Sequence, residues 1–129
     1  MRASKNKSLA KAKADKYFSQ YIRLKHSING VCECVTCGER FDWKKIHNGH
    51  FMSRRYQATR FDEKNCAPQC VSCNTYHQGR QFRFAKWIDK TYGEGTADAL
   101  EQKSKMLCKR THADYEYIAG EYKNKLPEL

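Results

Sequence analysis

With 129 residues, seven cysteines and a net charge of +11, the chain has the length of one modest domain and a balance suited to a polyanionic partner. No apolar run is long enough to span a bilayer, and no apolar stretch follows the charged N-terminus, so neither a membrane nor a secretory route is expected and a cytoplasmic protein is. In such a setting cysteines at C-x-x-C spacing point to metal ligation rather than to disulfides.

Residues 1–8 read as a mobile basic arm. A helix is expected from Ser8 to Lys25, where Ala10, Ala14, Phe18, Tyr21, Ile22 and Leu24 recur near helical spacing between lysines and arginines. Asn29-Gly30 is a turn. Val31–Gly38 reads as a tight metal knuckle, with Gly38 letting the backbone turn beneath the ion. Aromatic and β-branched residues from Phe41 to about Met52 predict one or two short strands. Ser53–Lys64 is an arginine-rich loop, and Pro68 should end regular pairing in Asn65–Gln69. From Val71 a helix is expected to carry Asn74 and His77 on one face, broken at Gln78-Gly79.

A further helix over Gln81–Tyr92 has Phe84, Ala85, Ile88 and Tyr92 as its apolar stripe. Phe82, Phe84 and Trp87 are read as core. Gly93-Glu94-Gly95 is a stop, Thr96 an N-cap for a helix over Ala97–Leu107, and His112–Asn124 the last helix. Cys108 is read as a helical core residue, and His26 and His112 as surface residues. The whole is read as one domain, 1–129: a basic arm and helix (1–30), a metal-clamped core (31–92) and C-terminal helices (93–129).

Cys34, Cys37, Cys70 and Cys73 form two C-x-x-C pairs, a four-thiolate set of the tetrahedral kind that structural zinc prefers. Cys32 and Cys66 stand close enough to replace a member or to be spectators. The insert between the pairs, with the residue just after them, holds His50, Asn65 and Asn74. A neutral imidazole titrates near working pH, so His50 can take a proton from an attacking water. Asn74 offers a hard carbonyl oxygen suited to Mg²⁺ or Mn²⁺. Asn65 is best cast as a brace for the loop that aims His50.

At these residues the chain resembles the HNH group of ββα-metal nucleases in their four-cysteine zinc form. The frame is a histidine in a strand, followed by Asn65-x-x-Pro68-x-Cys70-x-x-Cys73-Asn74. More closely, Ala14–Arg23, Cys34-x-x-Cys37-Gly38, Gly49-His50-Phe51-x-Ser53-Arg54, Ala58–Glu63, Pro68–Asn74 and Tyr92-Gly93-x-Gly95-Thr96 resemble the phage lambda NinG/Rap family. The resemblance covers about residues 14–96. It implies an α+β fold with a small ββα-metal core stapled by the four-cysteine zinc site. It also implies a phage-encoded recombination endonuclease acting on branched DNA such as Holliday junctions or D-loops. One position departs from the pattern: many HNH members have an acidic or histidine metal ligand just before the base, and here it is Gly49. His77, Asp62 and His47, in that order, are the candidates for the missing ligand.

Residues 1–92 carry 19 Lys/Arg against 7 Asp/Glu, and residues 93–129 carry 6 against 7. The excess sits with the proposed site. Arg54, Arg55 and Arg60 can clamp phosphates bidentately, and Arg80, Arg83 and Lys86 extend the track. The N-terminal lysines are candidates for a second duplex arm. Symmetric cutting of a junction needs two active sites, so a homodimer is attractive. The alternatives are an HNH nicking or homing-type enzyme, a non-catalytic zinc-knuckle DNA-binding module, and a zinc-stabilised protein-interaction domain.

Overall fold

The computed structural model describes the backbone of residues 2–127 and the side chains of residues 5–127. It is a small mixed helix-and-sheet protein whose chain forms two compact units, Met1–Tyr21 with Lys109–Leu129, and Ile22–Cys108. Among the described residues no helix is long and apolar enough to cross a membrane.

α1 (Arg2–Lys25), which belongs to the first unit as far as Tyr21, begins well before Ser8. Most of the expected basic arm is therefore helical backbone; Met1 lies outside the described residues. Ala10, Ala14 and Phe18 recur every four residues and are buried, as the helical period requires of a core-facing stripe. They belong with α5 (His112–Lys125), which buries Tyr115, Ala119 and Tyr122. The Phe18 and Tyr122 rings meet edge-on with centroids 4.9 Å apart. A capping box starts α5: Thr111 Oγ1 accepts from the Asp114 N–H, and the Asp114 carboxylate accepts from the Thr111 N–H.

In the second unit, β1 (Ser27–Ile28), β2 (Val31–Glu33) and β3 (Arg40–Asp42) form an antiparallel sheet in that order. Asn29 and Gly30 both have positive φ, 52° and 77°. Two such residues make the mirror-image turn that matches strand twist, which is why Asn-Gly joins β1 to β2. A separate two-stranded sheet pairs β4 (His47–His50) with β5 (Cys66–Gln69). Pro68 sits inside that ladder opposite Asn48. It does not end the pairing, because in a two-stranded sheet the missing N–H can face the outer edge. Between the strands lie a short helix α2 (Gln57–Arg60) and a 3₁₀ turn, Glu63–Asn65.

After β5 the chain winds into a π-helix, Ser72–Tyr76, closed by His77 N–H donating to Ser72 O. That wider turn spreads residues three apart, so Asn74 and His77 do not share the face that an α-helix would give them. α3 (Gln81–Tyr92) and α4 (Thr96–Ser104) follow. Phe84 and Ile88 of α3 are fully buried and pack with Phe51, Ala67, Ala97 and Leu100. Phe82, expected in the core, is 75% exposed. Thr96 does not cap α4: its hydroxyl donates to Gly93 O, and the Ala97 N–H is accepted instead by Asp89 of α3. Cys108 lies beyond α4, half-buried in the connection to α5.

Candidate metal centre

The knuckle before β3 and the segment after β5 bring four sulfurs together. The Sγ atoms of Cys34, Cys37, Cys70 and Cys73 all lie within 4.8 Å of one another. Cys37 and Cys70 are 3.8 Å apart. A tetrahedral ion at a Zn–S distance of about 2.3 Å needs sulfurs roughly 3.8 Å apart, so the cluster fits zinc. Cys34 Sγ accepts from the Cys70 N–H, and Cys70 Sγ accepts from the Cys73 N–H.

Without an ion, four thiolates in this space repel one another. Burial pushes the Cys34 thiol up, but the Thr36 hydroxyl and the backbone N–H groups of Cys70, Thr36 and Cys37 outweigh it and hold it at about 6. Burial and the neighbouring Cys34 and Cys70 sulfurs push Cys37 up to about 12. One thiolate forms readily and the next is opposed, until a dication offsets the charge.

The two extra cysteines are spectators. Cys32 Sγ donates to Arg23 O at 3.1 Å. Cys66 is buried in β5, with its sulfur directed at Arg60 O. Ile46, Phe41 and Trp43 pack against Cys32 and the ligands.

From this frame β4 runs antiparallel to β5, with His47 opposite Gln69, Gly49 opposite Ala67 and His50 opposite Cys66. Gln69 is fully buried. Its amide donates to Thr36 Oγ1 and to Gly79 O, tying β5 to the first knuckle and to the exit of the π-helix. A Cβ on Gly49 would collide with Gln69 Oε1 and stand 2.8 Å from Gln69 Cβ. The glycine is thus demanded by packing, and a side-chain ligand cannot stand there. Nothing in the sequence alone marked Gln69; its place next to Cys70 was the available hint.

His50 sits at the end of β4, half-buried, with Nε2 3.1 Å from Arg60 O. A carbonyl only accepts, so Nε2 carries a proton, and in the neutral ring Nδ1 then holds the lone pair. Asn65 is fully buried. Its Oδ1 accepts from the Met52 N–H, while Nδ2 donates to Met52 O and Thr59 O. The Phe51 N–H donates to Asn65 O. The asparagine therefore pins both ends of the 52–59 loop directly after His50.

Asn74, in the π-helix right after Cys73, donates through Nδ2 to His47 Nδ1 at 3.1 Å. His47, ranked last among the companions of Asn74, is the one in contact with it. His77 caps the π-helix at an exposed position. Asp62 is spent elsewhere: Oδ1 accepts from the Lys64 N–H, and Oδ2 pairs with Lys103 at 2.6 Å. His26, read as a surface residue, is half-buried with its ring edge-on to Trp87. His112 is exposed beside Glu116.

Of the proposed phosphate-binding residues, Arg54, Arg55, Arg83 and Lys86 are exposed and Arg80 is half-buried. Arg60 is only 9% exposed, and its guanidinium donates to Arg54 O at 2.7 Å. It holds the loop, and burial removes it from the surface a phosphate could reach.

A family model, Bacteriophage Lambda NinG protein, matches residues 1–129. The chain belongs to the bacteriophage lambda NinG family. No curated protein and no solved structure matches it. In this NinG protein, family membership stands beside a four-cysteine cluster that could hold a metal ion.

Proposed function

We propose that this NinG protein is a divalent-metal-dependent DNA endonuclease of the HNH type that hydrolyses phosphodiesters in branched DNA. The observation that carries the reading is the seating of Asn74 against β4. The residue following the last zinc ligand is hydrogen-bonded to His47, three residues before His50.

In this reading His50 is the general base. Its Nε2–H is held by Arg60 O, so Nδ1 accepts the proton of the attacking water. Asn65 keeps the following loop, and with it the ring, in place. His47 is a positioning residue: by accepting the Asn74 amide proton it fixes the amide and leaves Oδ1 as the atom that would meet a cation. Asn74 would hold Mg²⁺ or Mn²⁺ through that oxygen. The ion would polarise the scissile phosphate and stabilise the leaving oxyanion. Mg²⁺ keeps several waters and is held by few protein groups plus substrate phosphates, so a site without a side chain at position 49 is chemically reasonable. Zinc at the four cysteines stays structural. Arg54, Arg55, Arg83 and Lys86 supply exposed positive charge for the DNA backbone.

The test is cleavage of linear and four-way DNA of the same sequence with Mg²⁺ or Mn²⁺. Wild-type protein nicks the four-way substrate in preference. His50→Ala, with zinc content and folding unchanged, lowers cutting by at least about 100-fold, the lower range for removing a general base. Full activity in that variant would sink the assignment. Salt-sensitive DNA binding without cutting would favour the non-catalytic zinc-knuckle module instead.

A further inference from the structure

Phe82 has no place in the core, although its neighbour Phe84 is fully buried. It stands 75% exposed on the first turn of α3. Lys86, four residues on, lies over its ring at 4.3 Å. Beside it opens a cavity of about 610 Å³, walled by Phe51, Met52, Tyr56, Phe82 and Ala85. Its volume lies within the roughly 300–1,000 Å³ of small-ligand sites. Glu101 also lines it, its charge offset by Lys105, another lining residue, at 3.6 Å.

The position matters as much as the composition. Phe51 and Met52 are the two residues after His50. Gln81, at the mouth, donates to Phe51 O at 3.0 Å and fixes the start of α3 to the end of β4. Two exposed cations lie on its aromatic walls, Arg55 over Tyr56 at 5.1 Å and Lys86 over Phe82. An apolar slot with Arg55 and Lys86 on its aromatic walls suits a flat apolar group carried on an anionic backbone. A buried apolar peptide segment would find no match for those cations.

We infer that this cavity receives one unpaired nucleobase of a DNA strand, stacked on Phe82, while these two cations hold the flanking phosphates. A fully paired duplex offers no such base; a single-stranded flap or a displaced strand does. The inference rests on the DNA-nuclease reading and deepens it, because it supplies a physical reason for preferring branched substrates that carry a single-stranded segment, such as D-loops. Stacking on an aromatic side chain needs only a π-face, so any of the bases serves.

The experiment uses the full-length zinc-loaded protein without added Mg²⁺ or Mn²⁺, so that binding is read apart from cutting. The probes are a single-stranded flap and a perfect duplex of the same sequence, each carrying 2-aminopurine at the corresponding position. Wild type and Phe82→Trp are expected to change the 2-aminopurine emission of the flap substrate on binding. Phe82→Ala should lack that change and bind the flap roughly 5- to 150-fold more weakly, the range that loss of one base stack gives, with duplex affinity unmoved. Equal weakening on flap and duplex, or none on either, overturns the inference and leaves the DNA reading standing. Wild-type protein that binds neither DNA overturns both. A wild-type dimer that Phe82→Ala turns into a monomer would assign the cavity to a second copy of the chain and overturn the inference.

Discussion

Gly49 removes a possible ligand, and its neighbour says why. The buried Gln69 side chain fills the space in which a residue at 49 would put its Cβ, and its amide joins Thr36 to Gly79. Gly49→Asp, which would restore the wider HNH pattern, is therefore expected to lose stability and gain no divalent-ion affinity. Overpacking of this kind costs about 1–3 kcal/mol. Urea unfolding, beside Mn²⁺ titration of the folded variant, checks both halves; tighter Mn²⁺ binding at unchanged stability would contradict the packing argument. His26 gives a second prediction. Burial lowers its pKa, Lys25 lowers it further, and Glu63 opposes. The folded state thus resists a proton that the unfolded chain takes up near pH 6.5. The associated stability is complete above that value and declines as pH falls from it toward the lower folded pKa. His26→Phe keeps a ring against Trp87 and lacks the titration. The wild-type-minus-variant difference in urea midpoint should fall between pH 7.5 and 5.5; a flat difference would remove His26 as a pH-sensitive group.

At the scale of elements, the two cysteine knuckles, which could share a zinc ion, flank Gln69 between β5 and the π-helix. Removing the ion should loosen the backbone that carries Asn74 while leaving helices α1 and α5, built from their own apolar stripes, formed. The ligand assignment separates cleanly from the spectators. Cys37→Ser is expected to lose bound zinc, whereas Cys32→Ala and Cys66→Ala keep one zinc per chain by elemental analysis. Zinc loss in Cys66→Ala would move the ligand set. The C-x-x-C pairs were legible because ligand spacing is a local constraint, and the helices over 81–92 and 112–125 because their apolar period is local too. The π-helix was not legible, since no local signal distinguishes an i→i+5 turn from an α-helix, and with it went the argument for His77. Phe82 and Arg60 were misjudged for a common reason: residue type suggests burial or exposure, but the path of the chain decides it. Arg60 is drawn inward to hold Arg54 O, and Phe82 is turned outward on a helix whose buried side is taken by Phe84 and Ile88.

Across the molecule, the positive charge is concentrated in residues 1–92, with 19 Lys/Arg against 7 Asp/Glu. Such a distribution predicts DNA binding that weakens steeply with salt, because each neutralised phosphate releases condensed counterions. Exposure sorts the arginines within that total. Arg54 and Arg55 are exposed, so each alanine substitution should reduce the slope of log affinity against log salt by about 1, with little cost in stability. Arg60→Ala behaves oppositely. It removes no surface cation but leaves Arg54 O without its buried donor, a loss of about 1–3 kcal/mol. Its salt slope should match wild type while its unfolding midpoint drops. Fluorescence anisotropy of a labelled duplex between roughly 50 and 200 mM salt measures the slopes, and urea unfolding measures stability. A slope reduced by Arg60→Ala as much as by Arg54→Ala would mean that the guanidinium leaves its loop to meet phosphate. The buried loop contact would then be one of two positions of that side chain.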